Sequence, residues 1–191
     1  ERALMALLKE LDYSKYEVDL LYFNHENEYF KDSIPSQVNI LKPDVGMQII
    51  FSSPSLLKKY LTDFKFLPLL FLRYVFGLLG KLNSKNYFKK RVKDWKKYRL
   101  FIPKIEKQYD ASIAFLENIS TYYVLDKTIA KKYIVWQRTD YLMTGCNPKW
   151  DLPYFEKADN VCVLSEEMKN NFVQEFPQVK NKVIVFPNVI D

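Results

Sequence analysis

The sequence predicts an α/β fold with a doubly wound, mostly parallel sheet and a long helical insertion. The first observation behind this prediction is that short apolar runs alternate with amphipathic helical patterns near the start of the chain and again from residue 110. The second is that the segment of about 47–107 has helical patterning and no convincing strand. The 191 residues are 48% hydrophobic and 27% charged, which is typical of globular proteins, and we expect a single domain over 1–191.

The opening segment predicts one helix followed by two strands. Apolar residues recur at helical spacing in the first eleven positions, at Ala3, Leu4, Leu7, Leu8 and Leu11. A polar break at 12–15 ends this helix, and strands are expected at 18–23 and 38–41. Because the chain begins without a methionine and already inside a helical pattern, we expect a further strand and loop upstream.

The insertion is expected to be helical but interrupted. Four residues that break or weaken helices divide it, namely Pro54, Pro68, Gly77 and Gly80. Its first half contains an aromatic-rich run, at Phe64, Phe66, Phe71, Tyr74 and Phe76. Its second half has one apolar helical face, formed by Phe88, Val92, Trp95 and Ile102. The most apolar stretch, 66–79, contains Pro68 and Arg73 and is too short to predict a membrane-spanning helix.

Residues 81–107 make the protein basic. They contain eleven Lys or Arg against Asp94 and Glu106, whereas the net charge of the whole chain is +6. The candidate membrane-surface residues are Lys89, Lys90, Arg91, Lys93, Lys96 and Lys97. A basic amphipathic helix beside an aromatic-rich run is typical of a helix on an anionic membrane surface. A solvated face over a core helix is the alternative, while the lack of any recognised nucleic-acid module argues against nucleic acid as a partner.

The second half of the chain alternates regularly between strands and helices. Strands are expected at 110–116, in the first half of 133–141, at 161–164 and at 183–186, with helices at 120–129 and 150–157 and after Ser165. Ser165 is followed by two acidic residues, which predicts a helix N-cap with a favourable charge in the first turn. Met168, Phe172 and Val173 are expected on the buried face of that helix.

Polar side chains gather where the predicted strands end. They are Glu117 and Asn118 after one strand, Gln137, Arg138, Thr139 and Asp140 after the next, and Ser165 and Glu166 after a third. In an open α/β sheet the ligand crevice lies beyond the carboxyl ends of the strands, so these are the candidate substrate-binding residues. Their hydroxyl, amide, carboxylate and guanidinium groups suit a polyhydroxylated ligand such as a sugar, and Arg138 can also bind a phosphate. The alternative is a set of ordinary turns.

Several other kinds of site are not supported by the sequence. The two cysteines, Cys146 and Cys162, and the single histidine, His25, do not have the spacing of a zinc site. Cys162 lies in a strand-like run and is expected to be a small buried hydrophobe. With four glycines in the chain there is no glycine-rich phosphate loop, and no nucleophile triad is apparent.

Four segments together resemble a known family. They are Glu1-Arg2-Ala3-Leu4-Met5-Ala6-Leu7-Leu8, Tyr109-Asp110-Ala111-Ser112-Ile113-Ala114-Phe115, Ala158-Asp159 to Ser165-Glu166-Glu167, and Asn188-Val189-Ile190-Asp191. In this order they resemble the first helix, the mid-domain strand, the late strand with its helix, and the hinge segment of the family 4 glycosyltransferases. The resemblance covers most of the chain outside the insertion and concerns the N-terminal half of that family.

The resemblance implies a retaining, metal-independent transferase with two Rossmann-like domains, the GT-B fold. This chain would be the acceptor-side domain, and the donor domain, which carries the family's paired glutamates, would be absent from it. The whole protein would move a sugar from a nucleotide-sugar donor to a glycan or lipid-linked acceptor at the cytoplasmic membrane face, in surface polysaccharide synthesis of the bacterial type. The fragment alone would be inactive, and neither a metal nor a resident cofactor is expected.

The resemblance also assigns roles to three residues. Arg2 would bind substrate and Asn188 would belong to the hinge. Arg138 stands where many relatives have a histidine that reaches the reacting sugars. Because arginine cannot act as a general base at neutral pH, we expect an electrostatic or orienting role for it at this catalytic position. The alternative from another class is a non-catalytic Rossmann-like module that recruits a membrane or partners through the basic helical arm.

Overall fold

The computed structural model describes residues 2–23, 31–51, 57–58, 60–81 and 95–188, which fall into two compact units, 2–81 and 95–188. Some residues named above lie outside these ranges: His25, Pro54, Phe88, Lys89, Lys90, Arg91, Val92, Lys93 and the segment 189–191. The expectation of a single domain over 1–191 stays a prediction.

The first unit pairs two short strands beside three helices. Its elements are α1 (Arg2–Glu10), β1 (Asp19–Leu21), β2 (Asn39–Leu41), α2 (Val45–Phe51) and α3 (Leu67–Lys81), with 3₁₀ turns at Lys31–Ser33 and Phe64–Phe66. The strands are parallel, with Leu20 opposite Ile40. Met5 and Leu8 of α1 form the core with Val38. The predicted opening helix and both strands are therefore confirmed, although the strands are shorter than expected.

Helix α3 runs without a break through three residues that were expected to interrupt it. Pro68 is the second residue of the helix, a position where its missing N–H removes no intrahelical hydrogen bond. Gly77 and Gly80 each cost about 1 kcal/mol relative to alanine, and the flanking leucines, which are strong helix formers, offset that cost. The predicted interruptions at these residues are wrong. None of the helices in the described ranges has both the length and the apolar composition that crossing a bilayer requires.

The second unit contains a four-stranded parallel sheet in the order β3-β4-β5-β6. The strands are β3 (Gln108–Ala114), β4 (Ile129–Gln137), β5 (Asn160–Val163) and β6 (Val183–Val185), and the helices are α4 (Ile119–Lys127), α5 (Tyr141–Thr144), α6 (Pro148–Lys157) and α7 (Glu166–Glu175). Strands alternate with helical crossovers, as parallel pairing requires. The α/β class and the parallel pairing are confirmed, and the architecture is Rossmann-like.

Several element boundaries differ from those expected, by one to four residues. The predicted strand at 110–116 begins and ends two residues earlier, as β3. The predicted helix at 120–129 ends at Lys127, and Ile129 already belongs to β4. Thr128 ends the helix because its hydroxyl donates a hydrogen bond to the carbonyl of Val124, at 2.7 Å.

A core cluster of the second unit covers one face of its sheet. Ala114, Val135, Val161 and Val183 form a row across all four strands, each 4% exposed or less. Helices α6 and α7 cover this row with Phe155 and Phe172, whose ring centroids are 4.9 Å apart. Ser165 caps α7 through the backbone N–H of Met168, at 3.2 Å, and Met168 and Val173 pack against the same core, as predicted.

Trp95 lies in a helix of the second unit whose described residues are 95–98. Its ring lies beside those of Tyr122 and Tyr123 of α4, and its indole nitrogen donates a hydrogen bond to Asp126 at 2.9 Å. Trp95 and Ile102 are both buried, but Ile102 has an extended backbone after the 3₁₀ turn Arg99–Phe101, so the predicted helical face does not reach it.

Substitution of Phe172 with alanine tests the importance of the aromatic core. Phe172 is 1% exposed and contacts the rings of Tyr141, Phe155 and Phe176. We expect Phe172→Ala to lower the free energy of unfolding by about 3–5 kcal/mol, because it leaves a cavity. Met143→Ala, at an 80% exposed position of the same unit, should change it by less than about 0.5 kcal/mol. Equal urea midpoints for the two variants would contradict this account of the core.

Candidate functional site

The carboxyl ends of β3 and β4 lie side by side, because Ala114 is the register partner of Val135. Glu117 follows β3, and Arg138 and Thr139 follow β4. The carboxylate of Glu117 accepts a hydrogen bond from the Arg138 backbone N–H at 3.2 Å and another from the Thr139 hydroxyl at 2.7 Å. One side chain therefore ties the two strand ends together.

The side chain of Arg138 reaches across to the segment after β6. Its Nη2 donates a hydrogen bond to Oδ1 of Asn188 at 2.7 Å, and its guanidinium carbon lies 4.8 Å from the ring centroid of Phe115. Both contacts hold the planar guanidinium in one orientation. Glu117, Arg138, Thr139 and Asn188 are called the Glu117 cluster below.

Three aromatic rings form a row beside this cluster. The ring of Trp136 is 4.9 Å from that of Phe115 and 5.1 Å from that of Phe186, between centroids. Trp136 is only 6% exposed, and its indole Nε1 has no hydrogen-bond partner among the described residues. A buried unpaired donor costs about 1–3 kcal/mol, so it calls for an explanation. Phe115, Trp136 and Phe186 are called the aromatic row.

A small cavity of about 10 Å³, close to the volume that one water molecule requires, lies next to Glu117. Its lining is Glu117, Asn118, Thr121, Tyr122, Gln137, Tyr141, Thr144, Cys146, Asp151 and Phe155. Asp151 is 3% exposed, and its two carboxylate oxygens accept hydrogen bonds from the hydroxyls of Tyr122 and Tyr141, the second at 2.6 Å. The carboxylate is thus buried but hydrogen-bonded on both oxygens.

Burial dominates the electrostatics of this cavity. It raises the pKa of the Asp151 carboxyl, although the two phenol hydrogen bonds and the charge of Lys96 act in the opposite direction. Burial, followed by the negative charge of Asp151, also raises the pKa of both Tyr122 and Tyr141. Burial raises the pKa of the Cys146 thiol as well. Burial therefore disfavours the charged form of each of these groups.

Asn118 has an unusual backbone conformation between β3 and α4. Its φ is 64° and its ψ is −118°, and it is the one non-glycine residue with positive φ in the described ranges. Its side-chain amide lies 3.9 Å from the Cys146 sulfur, with the amide nitrogen as donor. A non-glycine residue in this region stores about 1–3 kcal/mol of strain, and such strain is common at functional sites.

The remaining candidates lie in different surroundings. Gln137 is buried and lines the cavity. Asp140 caps α5 through the Leu142 N–H at 3.0 Å and accepts a hydrogen bond from Asn171 at 2.7 Å. Ser165 is the α7 cap, and exposed Glu166 lies 3.9 Å from Lys169. Asp140, Ser165 and Glu166 therefore each have a partner within the protein.

Three basic residues that the sequence analysis proposed as site residues are distant in sequence from the Glu117 cluster. Arg2 is exposed in α1 of the first unit. Lys96 is exposed, with its Nζ 5.0 Å from the centroid of the Trp150 ring, and Lys97 is half-buried.

Sequence reasoning missed the Asp151 network and the aromatic row. One signal was available for the first, since Asp151 and Phe155 are four residues apart and therefore share a helix face. A carboxylate on an apolar face indicates buried hydrogen-bond partners. The row had no such signal, because its rings are far apart in the chain: Phe115 follows β3, Trp136 lies in β4 and Phe186 follows β6.

The part of the chain that the structure describes contains no group of three or more His, Cys, Asp or Glu side chains arranged to hold a metal ion. No model of a known protein family matches the chain, and a comparison with curated proteins also finds no match. The resemblance to glycosyltransferases therefore depends on the four sequence segments.

Stability should depend on pH through Asp151. Its folded-state pKa lies above the unfolded value of about 3.9, so its contribution to stability is complete below that value and is lost as pH rises through the folded pKa. We expect wild type to lose stability relative to Asp151→Asn as the pH rises from about 4 towards neutral, because the unfolded carboxyl ionises at a lower pH than the folded one. Urea unfolding of both proteins across this range measures the difference. A constant difference would show that the Asp151 pKa is not raised.

Replacement of Asn118 tests whether its backbone is strained. We expect Asn118→Gly to raise the free energy of unfolding by about 1 kcal/mol and Asn118→Ala to lower it, because glycine alone tolerates this φ without cost. Asn147 has a normal φ of −105° and caps α6, so Asn147→Gly should not raise stability. Equal effects of the two glycine substitutions would argue against strain at Asn118.

Proposed function

We propose that this chain is the acceptor-binding, N-terminal half of a retaining GT-B glycosyltransferase, with a doubly wound sheet. The whole protein would transfer a sugar from a nucleotide-sugar donor to a glycan or a lipid-linked acceptor in surface polysaccharide synthesis. It would work without a metal or resident cofactor, on the cytoplasmic face of the membrane. The family resemblance of four sequence segments supports this proposal, together with the chemistry of the strand ends.

The observation that carries the proposal is the Glu117 cluster beside the aromatic row. A carboxylate has about four lone-pair positions, and the Glu117 carboxylate uses two of them within the protein. The other two can accept hydrogen bonds from sugar hydroxyls. Aromatic faces suit the C–H face of a sugar ring, and Phe186, at the end of the aromatic row, is 41% exposed. Carboxylate, arginine and aromatic groups together suit a polyhydroxylated acceptor.

Arg138 would orient the acceptor rather than remove its proton. An arginine side chain has five N–H donors and no acceptor, so it cannot serve as a base. Its contacts with Asn188 and Phe115 restrict its movement, which reduces the entropy lost when a ligand binds. In the transfer itself, the acceptor hydroxyl oxygen bonds to the anomeric carbon of the donor sugar as the bond to the nucleoside diphosphate breaks, and the hydroxyl proton leaves with the diphosphate. The second domain would supply the donor side of that reaction.

A non-catalytic binding module is the competing proposal, and one observation favours it. Asp140 and Ser165 are used as helix caps, which leaves fewer polar groups at the strand ends for a ligand. Such a module would have no need for sugar binding at the Glu117 cluster.

Binding of glycans to the 191-residue chain separates the two proposals. The chain is screened on an array of bacterial surface oligosaccharides, and any ligand found is titrated by calorimetry. The glycosyltransferase proposal requires at least one oligosaccharide whose affinity falls in Glu117→Gln, since the amide loses one acceptor oxygen. A folded chain that binds none of them would favour the module. The product of the complete reading frame is assayed for transfer from nucleotide sugars without added metal.

Loss of the Arg138 guanidinium should weaken glycan binding. We expect Arg138→Ala to reduce the affinity about tenfold, which corresponds to the loss of one charge-assisted hydrogen bond. Arg138→Lys should recover little of it, because lysine lacks the planar fork that contacts Asn188 and Phe115. Arg99→Ala removes the same charge elsewhere in the second unit and is the matched control. If Arg99→Ala lowers the glycan affinity as much as Arg138→Ala does, the loss in Arg138→Ala comes only from the change in net charge.

A further inference from the structure

The cavity next to Glu117 is lined by a buried side chain that has no partner. Gln137 is the last residue of β4, is 3% exposed and lines this cavity. Its side-chain amide makes no hydrogen bond with any residue that the structure describes. A buried amide without a partner lowers stability, because it has lost its hydrogen bonds to water. A ligand group that pairs with the amide would remove this cost.

The polar groups next to Gln137 in the lining bond to one another instead. The hydroxyls of Tyr122 and Tyr141 donate hydrogen bonds to the carboxylate of Asp151. The Thr144 hydroxyl donates to the backbone carbonyl of Tyr141 at 2.7 Å. These groups form a wall whose hydrogen bonds are already made, so the amide of Gln137 is the group that is left to recognise a ligand.

Glu117 connects this cavity with the proposed acceptor site. It lines the cavity, and its carboxylate also accepts the hydrogen bonds from Arg138 and Thr139 that define the Glu117 cluster. A sugar bound at the cluster can therefore place a small group in the cavity. Asn118, the next residue, also lines the cavity and has a positive φ, and strain of this kind is common at functional sites.

The size and the chemistry of the cavity restrict the group that can enter it. Its volume of about 10 Å³ is close to what one water molecule requires, which admits a hydroxyl but no larger polar group. The amide of Gln137 has two N–H donors and an acceptor oxygen, so its best match is a group that both donates and accepts. A hydroxyl does both. An ammonium group only donates and would leave the amide N–H groups unpaired.

We propose that this cavity is the subsite for a single hydroxyl group of the acceptor sugar, and that Gln137 is the residue that selects it. The hydroxyl oxygen accepts a hydrogen bond from the Gln137 amide, and the hydroxyl donates to a free lone pair of Glu117. A sugar that lacks this hydroxyl leaves the amide buried and unpaired, and a methylated hydroxyl is too large for the cavity. The inference rests on the proposed function and specifies its acceptor as a glycan with a free hydroxyl at one fixed position.

Deoxy and O-methyl sugars test the subsite. The 191-residue chain is titrated with the methyl glycosides of glucose, galactose and mannose, with the monodeoxy and mono-O-methyl derivatives of each, and with any oligosaccharide found on the array. We expect one parent glycoside to bind about tenfold or more tightly than the deoxy and O-methyl derivatives modified at one particular position. Modification at positions that face solvent should have little effect.

Substitution of Gln137 with methionine tests the residue itself. Methionine has a similar length and no amide, so Gln137→Met should bind the parent glycoside and its deoxy derivative with equal affinity. Its free energy of unfolding should be no lower than that of wild type, because an unpaired buried amide is removed. Gln174→Met makes the same change at an exposed position of α7 and should keep the wild-type selectivity.

Three results would overturn the inference. If a glycoside binds wild type more tightly than Glu117→Gln but no derivative is discriminated, the acceptor site stands and the hydroxyl subsite does not. Unchanged selectivity in Gln137→Met, or a marked loss of stability in that variant, would show that the amide has a structural role only. If neither the glycosides nor the array oligosaccharides bind the folded chain, the proposed function fails and the subsite fails with it.

Discussion

The parallel pairing of β3 with β4 is the constraint on which the candidate site depends. Because Ala114 and Val135 are register partners, the carboxyl ends of the two strands lie next to each other. Glu117 can then accept hydrogen bonds from both Arg138 and Thr139. A shift of one residue in this register would turn Trp136 towards the helix-covered side of the sheet and separate these groups. The buried row of Ala114, Val135, Val161 and Val183 therefore fixes the register and also brings the site residues together.

Two residues near the strand ends, Asp151 and Asn118, are in arrangements that lower stability. Asp151 is buried with its carboxylate held by two phenols, and Asn118 occupies a backbone conformation that glycine prefers. Both line the cavity next to Glu117. A supporting layer that is fully hydrogen-bonded and tightly packed restricts the side chains above it, which is what a binding site requires. The unpaired Nε1 of Trp136 adds a third cost at the same end of the sheet.

By itself, the sequence determined the α/β class, the opening helix, the Ser165 cap and the strand ends where polar groups collect, because each follows from local periodicity or from one side chain near its own backbone. Local rules failed at Pro68 and Gly77, where the surrounding leucines extended the helix. Only the tertiary structure decided that Arg138 binds Asn188, that Tyr122 and Tyr141 share Asp151, and that Phe71 is exposed. These contacts join residues far apart in the chain or depend on which helix face is covered, and no local pattern encodes either.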